Sequence, residues 1–173
     1  MRKSPQTAVA ALLMALTGCG YHTLGSPAHL PPNVRTLSIP VFATKTEAYH
    51  TEALVTDAVI REFTARTRLR VVSNDGANAD AVLRGTILQQ AITPLTYNAS
   101  TQESSSFLLT MVISVTLQDH SGKILYENKN YVFRQQYQST TDLPTFLDES
   151  PAAEERLSRE FARTLVADVL ESL

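Results

Sequence analysis

The chain has 173 residues, 43% of them hydrophobic, with 15 Lys and Arg against 17 Asp and Glu for a net charge of −2. That length suits one domain with a real core, and the acidic balance argues against a nucleic-acid partner, which needs a basic patch. A single cysteine, Cys19, excludes a disulfide framework within the chain.

The first 18 residues read as an address. Arg2 and Lys3 supply a positive n-region, and residues 8–16 (AVAALLMAL) form an apolar run. A bilayer span needs about 20 apolar residues, so this run reads as a secretion signal. It ends in Leu16-Thr17-Gly18-Cys19, which resembles the bacterial lipobox, where the thiol is acylated and the chain is cut just before it. The expectation is a signal peptide over 1–18 and a mature N-terminus at Cys19 bearing N-acyl and S-diacylglycerol lipid. Removing residues 1–18 leaves 155 residues, with 13 basic against 17 acidic side chains, near −4. No polybasic segment then assists the anchor, and acyl chains alone must hold it. Lipidation also uses the only thiol, which leaves no cysteine for nucleophilic or metal chemistry. Gly20 follows the cysteine, and the absence of Asp there leans toward the outer membrane.

Residues 19–33, with Pro27, Pro31 and Pro32, form the lipidated N-terminus and an extended tether. A single domain over 34–173 follows. Residues 34–41 alternate at Leu37, Ile39 and Val41 as a first strand, with Pro40 marking its end or an edge. Thr44 and Glu47 have capping-box spacing, so a helix starts there or at Thr51, with Leu54, Val55, Ala58, Val59 and Phe63 on its apolar face. Residues 69–72 form a short second strand. Residues 79–85 (ADAVLRG) lead into a third strand running toward Ile92, where Pro94 interrupts it. Residues 96–106 are a polar loop or the frayed tip of a long hairpin.

Residues 107–117 are the clearest strand. Phe107, Leu109, Met111, Ile113, Val115 and Leu117 share one face, and the other face is mixed. Residues 119–122 make a turn, and residues 124–134 return as a strand with Tyr126, Tyr131 and Phe133. Residues 135–148 read as a polar loop. Ser150 is the expected cap of a last helix, with Pro151 at its first position and Glu154 and Glu155 in its first turn. Leu157, Phe161, Leu165, Val169 and Leu173 form that helix's apolar stripe. The expected fold class is α+β, a two-layer sandwich with two helices packed on one face of a mixed four- to five-stranded sheet. The other face is open to solvent, a partner or a ligand.

No catalytic constellation stands out. There is no Gly-x-Ser-x-Gly elbow and no phosphate-cradling glycine loop. His22, His29, His50 and His120 lack metal-ligand spacing, so no metal and no cofactor is expected. His120 reads as a solvated turn residue and Asp80 as a turn residue before its strand. Glu52, Asp57 and Glu62 read as a solvated helix face. Tyr97 and Tyr137, in or beside loops, are the better recognition candidates, since Tyr offers contact area at low entropy cost. Tyr126 and Tyr131 read as ordinary strand residues.

Taken together, Cys19-Gly20-Tyr21-His22, the Pro-rich tether, VRTLSIPVF, a helix, ADAVLRGTI, the FLLTMVISVTLQD strand and YVFRQQY resemble the LPS-assembly lipoprotein LptE family. The resemblance covers nearly all the mature chain, and Cys-Gly-Tyr and Ala-Asp-Ala-Val-Leu-x-Gly are its most telling parts. It implies two helices against a four-stranded sheet, in agreement with the periodicity. It also implies a non-enzymatic, lipid-anchored subunit of the outer-membrane lipopolysaccharide translocon. Such a subunit sits in the lumen of an LptD-type β-barrel as plug and assembly aid, facing the periplasm, and binds lipopolysaccharide. Better-known relatives carry basic residues in the loops thought to meet lipopolysaccharide phosphates, whereas residues 96–106 and 135–150 here have none. Arg84, Lys123, Lys129 and Arg134, on or near the sheet, therefore join Tyr97 and Tyr137 as candidate contacts with lipopolysaccharide or the partner. Competing readings are an outer-membrane lipoprotein of another binding class, such as a cell-wall synthase activator or a secretion-channel subunit, and a lipid-tethered periplasmic hydrolase.

Overall fold

The computed structural model describes residues 34–47, 50–74, 76–97, 104–140 and 147–172. The expected signal peptide over residues 1–18, Cys19 and the expected tether to residue 33 lie outside the described residues. The elements run β1 (Thr36–Ser38), β2 (Ala43–Thr44), α1 (Thr51–Arg66), β3 (Arg70–Val72), β4 (Ala81–Tyr97), β5 (Ser104–Asp119), β6 (Ile124–Thr140), β7 (Leu147–Asp148) and α2 (Ser150–Ser172).

The alternation of β5 decides the layering. Leu109, Met111, Ile113, Val115 and Leu117 are at most 1% exposed, whereas the residues between them are half-buried. Successive strand side chains point to opposite faces, so one face takes a helix layer and the other stays open. Each buried Leu, Ile, Val or Met there contributes about 1.5–3 kcal/mol against exposure. The helices supply the matching surface. Val55, Ala58, Val59 and Phe63 of α1, and Leu157, Phe161, Ala162, Leu165, Val166 and Val169 of α2, join the same core. The stripe read from sequence on each helix is thus the buried one, except that Leu54 is only half-buried and Leu173 lies outside the described residues, and the α+β sandwich forms as expected.

The strand order is β3-β1-β4-β5-β6-β7, with β2 also beside β4. The count exceeds the four or five expected because the first strand is split and β7 adds a two-residue edge. β1 pairs in parallel with β3 and β4, and β4, β5 and β6 form an antiparallel meander. A parallel neighbour normally needs a crossover of a dozen or more residues. Helix α1 supplies one between β1 and β3. The return from β3 to β4 manages with residues 73–80, because β3 is only three residues long.

The break between β1 and β2 has a local cause. Pro40 brings no amide donor, as the expected strand end requires. The Phe42 amide leaves the sheet and donates to Thr56 Oγ1 of α1 at 2.9 Å. The Phe42 ring then lies over Gly85, where an added β-carbon would come within 2.0 Å of it.

Several boundaries differ from the sequence reading. Thr44 and Glu47 do not start a helix: Thr44 lies in β2, its hydroxyl accepts the Thr46 amide at 3.1 Å, and α1 begins at Thr51. Strand β4 does not stop before Pro94, which pairs with Phe107. Beyond Ile87 the described residues place no second neighbour on β4, and an edge strand tolerates a residue without a donor. Strand β6 continues to Thr140 rather than ending at Arg134. Asp148, not Ser150, provides the side-chain cap of α2: its Oδ1 accepts the Ser150 amide at 3.0 Å. Glu154 and Glu155 fall just past the first turn, which holds no acid.

One irregularity matters for both faces. Ile87 pairs with Ile113 and Gln89 with Val112, so Leu88 is an extra residue, a β-bulge. Before it, Ala81, Leu83, Gly85 and Ile87 face the helices. After it, the register turns Gln90, Ile92 and Pro94 to that side. Ile92 is 51% exposed there, because β4 is by then an edge strand, while Leu109 beside it on β5 is 1% exposed.

Candidate functional site

The open face of the meander is the largest sheet surface without a helix. Cross-strand pairing orders it in rows: Arg84, Thr116 and Glu127; Thr86 and Ser114; Gln89, Val112 and Val132; Ala91, Thr110 and Arg134; Thr93, Leu108 and Gln136. Thr, Ser and Val dominate it, joined by Gln89, Gln136, Leu108 and the charged Arg84, Glu127 and Arg134, with Leu88 and Val132 exposed. Gln136 Nε2 donates to Ser106 Oγ at 2.8 Å and ties β6 to β5.

The structure separates the sequence-predicted contacts. Arg84 and Arg134 are exposed on this face, opposite Thr116 and Thr110. Those positions are six residues apart on β5, about 20 Å at strand rise, too far for one ligand group to meet both. Lys129 is exposed beside the bulge of β6 and forms an ion pair with Glu127 at 3.3 Å. Lys123 is exposed in the turn between β5 and β6. Tyr97 is the last residue of β4 and pairs with Ser104. Tyr137 is not beside a loop: it lies in β6, is 6% exposed, and stacks on Phe107 with ring centroids 5.4 Å apart. Its polar neighbours Gln136 and Gln138 face outward, and they gave the segment its loop-like composition. Burial is the main cause that raises the Tyr137 phenol, with Asp148 and then Glu154 adding to it.

Asp80 and His120 come together, but through their backbones. The His120 amide donates to the Asp80 carbonyl at 3.0 Å. The Asp80 carboxylate accepts the Arg35 and Thr36 amides at 2.9 and 2.8 Å. Those two bonds are the main cause that holds its carboxyl below the usual range. Asp80 is thus a clamp between the start of β1 and the entry to β4. Asp119 builds the turn in the same manner, accepting the Ser121 and Lys123 amides at 2.8 and 3.0 Å, with Gly122 at φ 84°. Among the described residues no group of three or more His, Cys, Asp or Glu side chains could hold a metal ion.

Sequence reasoning missed two polar ties of the helix layer. Tyr131 donates its hydroxyl to Asp168 Oδ2 of α2 at 2.6 Å, and the Tyr126 hydroxyl joins that of Tyr131. Burial first, and then the bond to Asp168, push the Tyr131 phenol well above its ordinary range, so it stays neutral and donating. Higher on the same layer, Gln90 Nε2 donates to Glu154 Oε1 at 3.2 Å. Only the parity change at Leu88 brings Gln90 to that side, and no sequence pattern signals it.

The fold and its surfaces define a class: a two-layer α+β domain with one helix-covered face and one open, sparsely charged face suited to binding. Among solved structures it is similar to a protein from Chlamydia trachomatis (TM-score 0.53, 11% identity, covering 80% of this chain and 97% of that one). It is similar also to a protein from Xanthomonas campestris (0.53, 14%, 80% and 85%). A minor lipoprotein from Acinetobacter baumannii shares the fold as well (0.51, 13%, 80% and 94%). At these identities the likeness concerns fold alone. A comparison with curated protein sequences gave no match. The family model described as "LptE: Lipopolysaccharide-assembly" matches residues 34–173, the whole domain, and the chain belongs to that family. It is an LptE-like outer-membrane lipoprotein of lipopolysaccharide assembly.

Proposed function

We propose that this chain is the lipid-anchored subunit of a lipopolysaccharide translocon. It sits within the lumen of an LptD-type β-barrel, supports the assembly of that barrel and binds lipopolysaccharide on its way to the cell surface. It works by binding and without catalysis. The observation that carries this reading is the family match over residues 34–173. The open meander face supports it further: its three long strands offer an extended surface of Thr, Ser, Gln and Val side chains for a barrel wall or an amphipathic lipid, and a partner that covers Arg84 and Arg134 must bring the anionic groups that pair them. Arg84, Lys123 and Arg134, which have no carboxylate partner among the described residues, remain the proposed contacts on this side, with Tyr97 at the meander's tip. Lys129 is already engaged by Glu127 and serves less well. Acyl chains on Cys19 hold the domain beside its partner in the same membrane.

Affinity purification of the tagged mature protein in mild detergent is the test. The expected result is co-purification of a β-barrel of several times the mass of this chain. Recovery of the protein with no barrel overturns the proposal.

A further inference from the structure

A groove of about 330 Å³ lies between α2 and β6, lined by Gln135, Arg156, Arg159, Glu160 and Arg163. Its position is on the helix side, away from the open face, and none of the contacts predicted above lines it. The arginines recur at steps of three and four, so they form one row along α2, and Arg156 and Arg163 are about 10 Å apart along its axis. Three guanidinium groups so close repel one another, since like charges at these spacings cost about 0.2–0.5 kcal/mol per pair.

The available carboxylates do not neutralise the row. Arg159 Nη1 reaches Glu155 Oε2 at 3.2 Å. Glu160 lines the groove, one turn from Arg156 on one side and from Arg163 on the other. Yet among the described residues neither of those two arginines has a carboxylate within ion-pair distance. The floor carries an amide where its neighbours are aromatic. The helix-facing row of β6 reads Tyr131, Phe133, Gln135, Tyr137, and Gln135 is its one amide, set under the arginines. Unpaired guanidinium groups over an amide floor, in a cavity at the small-ligand end of the usual range, describe a site for a compact anion.

We propose that this groove is a phosphate-recognition site that takes a phosphomonoester on a compact headgroup. A phosphomonoester carries close to two charges and three strong acceptor oxygens, and it can bridge Arg156 and Arg163 where a carboxylate satisfies one of them. Guanidinium forks match phosphate oxygens bidentately. The Gln135 Nε2 donates to the Gln136 carbonyl at 3.1 Å, and its second N–H can meet a sugar or ester oxygen. The lipid source of that ester rests on the functional reading above; the phosphate chemistry does not.

The test follows the arginine Nε–Hε resonances of the full-length protein in detergent during titration with inorganic phosphate, dihexanoyl phosphatidic acid or, as a phosphodiester control, dihexanoyl phosphatidylglycerol. Resonances of Arg156 and Arg163 are expected to shift with the first two more than with the third. The double variant R156Q/R163Q should weaken phosphate binding roughly tenfold or more, in line with the loss of charge-assisted bonds. Its thermal midpoint should be unchanged or higher, because repulsion is relieved. A response to inorganic phosphate alone assigns a soluble ester, and a response to phosphatidic acid as well assigns a lipid headgroup. Unmoved arginine resonances with every probe, or binding undiminished in the double variant, overturn the site. Barrel co-purification by the same variant separates the two readings: a barrel without phosphate binding sinks only the groove, and phosphate binding without a barrel sinks only the translocon assignment.

Discussion

A methyl group added at Gly85 would lie 2.0 Å from the Phe42 ring, a contact no packed side chain sustains. The ring cannot retreat freely, because it also meets Phe161 edge-on at 6.2 Å, and Phe161 in turn meets Tyr131 and Phe133. G85A is therefore expected to destabilise by about 1–3 kcal/mol, the usual cost of overpacking, measured as a shift in urea midpoint with unchanged slope. Asp80 makes a different contribution. Its carboxyl is held low by two backbone amides, so its stabilisation is present above the ordinary carboxylate value of 3.8 and fades as pH falls through the lower folded value. D80A should lower the thermal midpoint at pH 7, with a deficit that shrinks at strongly acid pH. An unchanged midpoint at pH 7 would remove the clamp. Both roles were half-legible in Ala-Asp-Ala-Val-Leu-x-Gly. The alternation of Ala81 and Leu83 reads as a core-facing strand, and Asp80 reads as a turn former. The glycine's reason lies 43 residues upstream in Phe42, beyond any local pattern.

Helices and the central strand were the elements best foreseen, because each carries a full apolar period that burial then uses. The stripe Leu157, Phe161, Leu165, Val169 on α2 is fully buried. The meander ends were misread as loops for the opposite reason. Residues 135–140 (QQYQST) bury only Tyr137 toward the helices, and the three glutamines around it hide the period that marks a strand. The arginine row of α2 was likewise illegible as a site. Along the helix it looks like a solvated face, and it becomes a groove only beside β6. Near the start of α2, Glu154 tests the packing of that helix on β4. Burial is the main cause that raises its carboxyl, and the Gln90 bond partly opposes this. With a raised folded value, the associated stability is complete below the ordinary 4.5 and lost as pH rises through the folded value. E154Q, which keeps an acceptor for Gln90, should raise the thermal midpoint at pH 7 modestly, and the gain should vanish below pH 4.5. A gain that persists in acid would assign it to packing rather than charge.

For the whole molecule, the proposed function divides the work between the folded domain and the lipid on Cys19. The core between sheet and helices supports the meander from one side, and the proposal gives its open face to a partner. Among the described residues no helix is long and apolar enough to cross a membrane; the proposed attachment is the lipid on Cys19. The tether from Gly20 to Asn33 reaches at most about 46 Å when extended, which bounds how far the domain can work from its anchor. C19S should release the protein from the membrane fraction and sharply lower recovery of the barrel, while the thermal midpoint of the domain stays the same. Retention of C19S in membranes after a carbonate wash would show that something other than lipid holds it.

The bulge at Leu88 has a consequence for how such a strand can change over generations. Most point mutations along β4 exchange one side chain and leave its neighbours facing as before. Loss of that single codon would restore alternation from Ala81 as far as Pro94 and invert the sidedness of the residues after it. Gln90, Ile92 and Pro94 would turn to the open face, Glu154 would lose its amide donor, and the residues between them would turn toward the helices. Beyond Leu88, β4 is free to vary in composition but is held in length, and its reading frame is itself a structural constraint.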